Sequence, residues 1–109
     1  MYNAIVEVGQ KVMANTSYSF DLLVPSGTAI QNGRTSSLGD TFNRDGYHLE
    51  VNYGRYTAAC TWFEAISGKN VEDVSYAPST VSEANARIAR AAAHRAVASP
   101  YLVTELTGF

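Results

Sequence analysis

The chain has 109 residues, a formal net charge of −2 and a hydrophobic fraction of 46%. This length suits a single small domain, and the composition is that of a globular protein rather than a disordered one. There is no strong basic field for nucleic acid, no Lys/Arg cluster for a lipid surface, and no apolar run of the roughly 20 residues that a membrane span needs. Residues 1–20 lack a signal peptide pattern, so the sequence leaves the localisation open and predicts neither a nucleic-acid nor a membrane partner.

The first quarter of the chain carries an α/β pattern. Residues 2–14 have the apolar spacing of an amphipathic helix and no N-terminal cap, which is typical of a helix that the sequence enters partway. Residues 20–24 (FDLLV) form a short apolar run stopped by Pro25, the pattern of a buried strand in a parallel sheet. A helix that leads into a buried strand predicts an α/β fold with ligands near the strand's carboxyl end.

The middle of the chain predicts a long loop followed by a helix. Residues 28–35 are either a short helix or a turn, and residues 36–50, rich in Ser, Gly, Asp and Asn, read as loop. Residues 52–67 predict a helix that stops at Gly68. Its predicted apolar stripe consists of Tyr56, Ala59, Cys60, Phe63 and Ile66.

The last predicted helix begins after a linker that ends in Pro78. Thr80 and Glu83 fit a T-x-x-E capping box, and the helix extends to about Ala98 before Pro100 ends it. This segment is rich in alanine, so we expect it to pack closely against a neighbouring element.

The clearest candidate for chemistry is Asp45-Gly46-Tyr47-His48 in the long loop. Histidine can take and return a proton near neutral pH, and a carboxylate three residues earlier can reach its ring across a turn eased by glycine. This is the arrangement of the base and its orienting partner in a Ser-His-Asp triad. On spacing alone, the pair is also explained by a surface Asp that caps a turn beside a partly exposed His.

Several linked motifs surround this pair over residues 20–69. A P-x-G-T-A-I-Q-N-x-R segment follows the predicted strand, a D-G-x-H-L loop comes next, and a G-R-Y-x-A-A-x-x-W-F-E helix ends at G-K. In this order they resemble the C-terminal portion of an SGNH (GDSL-type) serine hydrolase. The resemblance is closest to a branch of that superfamily made up of domains of unknown function.

The resemblance implies a flavodoxin-like three-layer α/β sandwich, mostly helical here with one or few parallel strands. It assigns His48 as general base and Asp45 as its orienting partner in the hydrolysis of acyl esters, often carbohydrate acetyl groups or lipid esters, with no cofactor. The family's G-D-S nucleophile segment and oxyanion-hole residues have no counterpart in residues 1–109. Gly39-Asp40-Thr41 has a similar look but lies just before Asp45, in the wrong order. We therefore expect a partial domain that is inactive by itself.

Other residues give weaker candidates. Cys60 could act as a nucleophile with His48, although its place on the apolar stripe favours a buried, inert thiol. His94 with Arg87 and Arg90 could form an anion-binding face on the last helix, although a solvated face is the simpler interpretation. A metal site built from Asp45, His48 and His94 lacks zinc-ligand spacing, so we predict no metal.

Two tyrosines near the motif are candidates for the substrate pocket. Tyr47 lies within the motif and can form the pocket rim, whereas Tyr53 either lines a groove near His48 or packs in the core. The polar residues after the predicted strand either brace the catalytic loop or cap a turn; these are Gln31, Asn32 and Arg34.

Three functions remain open on the sequence. The first is the C-terminal part of an esterase, and the second is a non-catalytic remnant that acts as a structural or self-associating module. In the second case an exposed edge at residues 20–24 would pair with another copy to form a homo-oligomer. The third is a binding module that uses a basic face of the last helix.

Overall fold

Four α-helices and one 3₁₀ turn form the regular structure of the chain, described over residues 1–109 by a computed structural model. Helix α1 spans Tyr2–Ala14, α2 spans Ser26–Arg34, α3 spans Tyr53–Ser67 and α4 spans Glu83–Ala98, with the 3₁₀ turn at Val71–Asp73. The helices predicted from periodicity are therefore confirmed. None of them combines the length and the hydropathy that a membrane crossing requires.

The predicted α/β sandwich is wrong, because the structure contains helices and no strand or sheet. The backbone of residues 20–23 makes no hydrogen bond. Phe20 and Leu22 are 59% and 50% exposed. A buried strand needs neighbouring strands to accept its backbone hydrogen bonds and cover its side chains, and this chain provides none. The one β-type contact is an isolated antiparallel bridge between Asn43 and Leu49.

Helix α4 is the centre of the packing. On one side it packs with α3 and the 3₁₀ turn around Tyr56, Cys60 and Val71. On another side it packs with α2 and the C-terminal segment, where Phe42 and Leu106 are buried. Its small side chains allow this contact on two sides, as predicted from the alanine content. The fully buried alanines of α4 are Ala86, Ala91, Ala92, Ala93 and Ala96.

The helix ends show which local signals the chain uses. Gly68 ends α3 in the left-handed conformation with φ +70°, as predicted. The capping box predicted at Thr80 is wrong, because α4 begins at Glu83 and Ser82 is its N-cap. The Ser82 hydroxyl accepts a hydrogen bond from the Asn85 backbone N–H at 3.2 Å.

The predicted basic face of α4 is not present. Arg90 is only 5% exposed. Its guanidinium donates to the Tyr56 hydroxyl at 3.2 Å and to the Tyr76 carbonyl at 3.2 Å, and it lies 3.2 Å from a Glu83 carboxylate oxygen. A buried guanidinium must be satisfied by partners, and these partners come from three segments of the chain. Arg90 is thus part of the interior and is not available to an external anion.

A second internal polar contact joins α3, the 3₁₀ turn and α4. Glu64 on α3 is 8% exposed. One of its oxygens accepts the Val71 backbone N–H at 2.9 Å, and the other lies 2.8 Å from His94 Nδ1. His94, a second of the three residues of the predicted basic face, is therefore held by a carboxylate on the neighbouring helix, whereas Arg87 is exposed.

We expect Glu64→Ala to lower the free energy of unfolding by about 1–3 kcal/mol, because the buried Val71 N–H loses its acceptor. Urea denaturation followed by circular dichroism measures this change. The matched control is Glu72→Ala, which removes a half-exposed carboxylate 3.9 Å from His94 Nε2. The control should change the free energy by less than about 1 kcal/mol. Equal losses of unfolding free energy in the two variants would contradict the role of Glu64 as the acceptor for the buried Val71 N–H.

Candidate functional site

The Asp45–His48 motif lies at the tip of a short irregular hairpin between α2 and α3. The Glu50 N–H donates to the Phe42 carbonyl at 2.7 Å, and the Arg44 N–H donates to the His48 carbonyl at 3.0 Å. Gly46 turns the chain at the tip with φ +95°, a conformation that other residues rarely adopt. Residues 42–50, called here the 42–50 loop, therefore have a defined shape within a segment that the sequence shows only as a long loop.

The base of the 42–50 loop is anchored by Phe42, which is fully buried. Its ring meets the Tyr53 ring edge-on, with the centroids 5.3 Å apart. A Cβ atom at Gly33 would lie 2.5 Å from the Phe42 ring, so the absence of a side chain lets Phe42 rest on α2. The Tyr53 hydroxyl lies 2.8 Å from the Thr41 hydroxyl oxygen. Tyr53 thus holds the loop from α3, and its contact with a substrate stays a prediction.

The end of the 42–50 loop is fixed to α3 by Glu50. One Glu50 carboxylate oxygen accepts the backbone N–H of Asn52 at 2.9 Å and that of Gly54 at 3.1 Å. A carboxylate at this position satisfies free N–H groups and complements the positive end of the helix dipole. Glu50, Phe42 and Gly33 are not among the site residues predicted from the sequence. An acidic residue just before a predicted helix was the available signal for Glu50.

The Asp45 carboxylate contacts both the ring and the backbone of His48. Asp45 Oδ2 lies 2.6 Å from His48 Nδ1, while Oδ1 accepts the His48 N–H at 2.7 Å and the Tyr47 N–H at 3.2 Å. The hydrogen bonds from the His48 backbone and then from its ring hold the pKa of Asp45 below its ordinary value. The carboxylate is therefore ionised at neutral pH. When the imidazole carries its single proton on Nδ1, it donates that proton to the carboxylate and the Nε2 lone pair is free.

The His48 side chain is accessible from the solvent. The side chains of His48 and Asp45 are 49% and 40% exposed, and Nε2 makes no hydrogen bond within the chain. The Tyr47 ring is 79% exposed and lies over the imidazole, with the ring centroids 4.1 Å apart. Tyr47 thus borders the imidazole, where a pocket rim is predicted. The arrangement can accept a proton at Nε2, but no hydroxyl of the chain is placed to provide one.

Cys60 does not fit the alternative role of nucleophile. It is 3% exposed and belongs to the core between α3 and α4. Burial raises the pKa of the Cys60 thiol to about 11 from an ordinary value of 9.0. Cys60 is therefore a protonated thiol at neutral pH, as expected for the buried, inert thiol that its place on the apolar stripe favours.

We expect iodoacetamide to modify Cys60 slowly in the folded protein at pH 8. A shift of the pKa from 9.0 to about 11 lowers the thiolate fraction at this pH about a hundredfold, and burial slows access further. Intact-mass spectrometry over time gives the rate, and the same reaction in urea is the control. Equal rates in the folded and unfolded protein would show that the thiol is accessible and ionisable.

The remaining sequence candidates lie apart from His48. His94 pairs with Glu64, and no group of three His, Cys, Asp or Glu residues is arranged to hold a metal ion. Asn32 is fully buried and joins α2 to α4 and to the C-terminal segment, through the Ala92 carbonyl at 3.2 Å and the Thr104 N–H at 2.7 Å.

Gln31 and Arg34, the two neighbours of Asn32, make contacts that differ from those of Asn32. Arg34 bonds Gln31 at 2.9 Å, within α2. Arg34 also pairs with Asp40 at 2.9 Å, just ahead of the 42–50 loop. Arg34 is thus the one of the three whose side chain reaches toward the loop, whereas Asn32 stabilises the helix packing.

The sequence and the fold were compared with known proteins. The family model DUF4886, described as a domain of unknown function, matches residues 1–96. The chain belongs to the DUF4886 family. A crystal structure of a DUF4886 family protein from Bacteroides uniformis ATCC 8492 is 49% identical, with a TM-score of 0.91 over 97% of the present chain. No curated protein matches the sequence.

The matched region is 40% of the length of the Bacteroides protein's chain. The 109 residues therefore correspond to less than half of that DUF4886 protein. The Asp45–His48 loop and all four helices fall within the residues that match the family model or end just after it.

Proposed function

We propose that this DUF4886 chain supplies the base side of an SGNH-type serine esterase, with His48 as the general base and Asp45 as its orienting carboxylate. The observation that carries the proposal is the 2.6 Å contact between Asp45 Oδ2 and His48 Nδ1, combined with an open Nε2. The substrate class is an acyl ester, including carbohydrate O-acetyl groups. The motifs around the loop, which resemble those of SGNH hydrolases, add a second line of support.

The geometry allows the following reaction. His48 Nε2 takes the proton of a serine hydroxyl as the serine oxygen attacks the ester carbonyl carbon, and the carbonyl oxygen becomes an oxyanion. As the carbon–oxygen bond to the alcohol breaks, the imidazolium returns the proton to the leaving alkoxide. Water then repeats the sequence on the acyl-serine, releasing the carboxylic acid and the free serine. Asp45 stays ionised throughout and stabilises the imidazolium.

The serine and the oxyanion hole must come from outside residues 1–109. None of the serines within the chain hydrogen-bonds His48 Nε2, and Ser26 Oγ, the hydroxyl nearest in sequence to the end of the FDLLV run, is buried. By itself, the present chain is expected to hydrolyse p-nitrophenyl acetate no faster than free imidazole does. A fluorophosphonate that labels a serine of the isolated chain would contradict this division of roles.

The decisive experiment uses a hybrid protein. Residues 1–109 replace the matching 40% of the Bacteroides DUF4886 protein, which the 49% identity makes structurally conservative. Hydrolysis of p-nitrophenyl acetate and of acetylated xylan is then measured, together with fluorophosphonate labelling. Activity that depends on His48 supports the proposal, and an active hybrid that is indifferent to His48 refutes it. If the hybrid does not fold, the same assays on the intact Bacteroides protein, varied at the position matched to His48, give the answer.

A second candidate function is self-association through residues 20–24. This segment presents the exposed side chains of Phe20 and Leu22 and a backbone free of hydrogen bonds over residues 20–23. Exposed apolar side chains next to unpaired N–H and C=O groups favour pairing with another chain.

We expect Leu22→Lys to shift the chain toward the monomer, because the added charge opposes burial of the segment. Sedimentation velocity at several protein concentrations measures the mass. The matched control is Ile66→Lys, which adds the same charge at a 65% exposed position on α3. A native chain that is monomeric at every concentration, or an equal response of both variants, would exclude association through this segment.

A further inference from the structure

One face of α3 borders a cavity. The cavity has a volume of about 430 Å³ and lies between α3, the 3₁₀ turn and the segment that leads to α4. This volume lies within the range of small-molecule sites. The α3 residues in its wall follow helical spacing, so they share a single face; they are Arg55, Tyr56, Ala59, Cys60 and Phe63. Asn52, the N-cap of α3, also lines the cavity.

The floor of the cavity is apolar and offers no free polar group. Eight of its twelve lining residues are hydrophobic, so an aliphatic or aromatic group is the fitting occupant. The Tyr56 hydroxyl at the floor donates to the Tyr76 carbonyl at 2.6 Å and accepts from Arg90 at 3.2 Å. Cys60 is a neutral thiol, because burial raises its pKa to about 11. The floor therefore carries neither a charge nor a vacant hydrogen-bonding group.

The rim of the cavity carries one charge without a partner. Arg55 is the only charged residue in the lining. Arg55 is exposed, and its guanidinium makes no hydrogen bond or ion pair, whereas Arg34 and Arg90 are both paired with carboxylates. Asn52, also in the lining, already donates its amide to Glu50 at 3.1 Å. A guanidinium fork matches a carboxylate with two parallel hydrogen bonds.

We propose that this cavity binds an amphiphilic carboxylate of the medium-chain fatty-acid class, with its carboxylate on Arg55 and its apolar body between α3 and residues 74–80. The proposal goes beyond the proposed esterase function, because none of the cavity residues belongs to the Asp45–His48 pair. Charge complementarity at the rim selects the head group, and the apolar walls select the body.

The test is a titration of the ¹⁵N-labelled chain with decanoate and with decanol, followed by two-dimensional NMR. Decanoate should shift the amide signals of Ala59, Cys60 and Phe63 in a saturable manner and bind more tightly than decanol. Octanoate, which is two methylenes shorter, should bind about fifteenfold more weakly than decanoate, because each methylene contributes roughly fourfold. Arg55→Met keeps the apolar stem and should weaken decanoate about tenfold while leaving decanol unchanged.

Ala59→Leu provides a second variant, because it adds three carbon atoms at the wall and should reduce the affinity for both ligands. Equal affinity of the native chain for decanoate and decanol would overturn the proposal. Shifts that map away from α3, or an Arg55→Met chain that binds decanoate as tightly as before, would overturn it too. Arg55 is exposed, so its variant should fold even if Ala59→Leu does not. These readouts require no turnover, so failure of the esterase proposal leaves them unaffected.

Discussion

Replacing His48 with alanine is expected to lower kcat/KM for acetyl-ester hydrolysis about 10³-fold in the hybrid protein that carries residues 1–109. The loss follows because the serine hydroxyl then has no group to accept its proton during attack. The expected kinetic signature is a fall in kcat with little change in KM, since His48 acts mainly in the transition state. Steady-state kinetics with p-nitrophenyl acetate measures both constants.

Asp45→Asn tests the orienting role separately. An amide at this position cannot hold the Nδ1 proton as a carboxylate does, so we expect a loss in kcat comparable to that of His48→Ala, and the double variant should lose little more. The control is His94→Gln, which changes the other histidine of the chain, one held by Glu64 away from the loop. Additive losses from the two loop variants would show that Asp45 and His48 do not work as a unit.

Phe42→Ala is expected to lower the free energy of unfolding by about 3–5 kcal/mol, because it leaves a cavity where a fully buried ring contacts α2 and Tyr53. The free energy of unfolding of a small domain is about 5–15 kcal/mol, so this loss is a large part of it. Urea denaturation measures the change. Hydrogen exchange should also accelerate at Arg44 and Glu50, whose N–H groups close the 42–50 loop.

Two further variants separate cavity formation from a general effect on the loop. Phe42→Leu retains an apolar side chain and should cost clearly less than Phe42→Ala. Gly33→Ala approaches the same contact from the opposite side, because its Cβ would lie 2.5 Å from the Phe42 ring, and should cost about 1–3 kcal/mol. A small loss in Phe42→Ala, with unchanged exchange in the loop, would show that the loop is held by other contacts.

The short-range features of the chain could be predicted from the sequence. The helices follow from apolar periodicity, and Gly68 ends α3 because few other residues adopt its positive φ. The pairing of Asp45 with His48 spans only three residues and a glycine turn, so it too depends on local geometry. In each of these cases the residues that determine the structure lie within one or two turns of each other.

The tertiary structure decided which of the apolar residues in the predicted elements are buried. The same apolar character that predicted a buried strand at residues 20–24 gives an exposed extended segment, because strands require partners from distant parts of a chain. The predicted stripe on α3 divides in the same way: Tyr56 and Cys60 are buried, whereas Phe63 and Ile66 are 39% and 65% exposed.

The tertiary structure also decided which charged residues are buried. The sequence placed Arg90 on a solvated face, yet its partners Tyr56, Tyr76 and Glu83 enclose it once α3 and α4 pack together. By itself, the sequence determined the helices and the Asp45–His48 pair, because these depend on neighbours along the chain. Only the tertiary structure decided the anchoring of the loop by Phe42 and Gly33, the cavity beside Arg55 and the exposure of residues 20–24. Burial depends on contacts between residues far apart in sequence, which no local pattern contains.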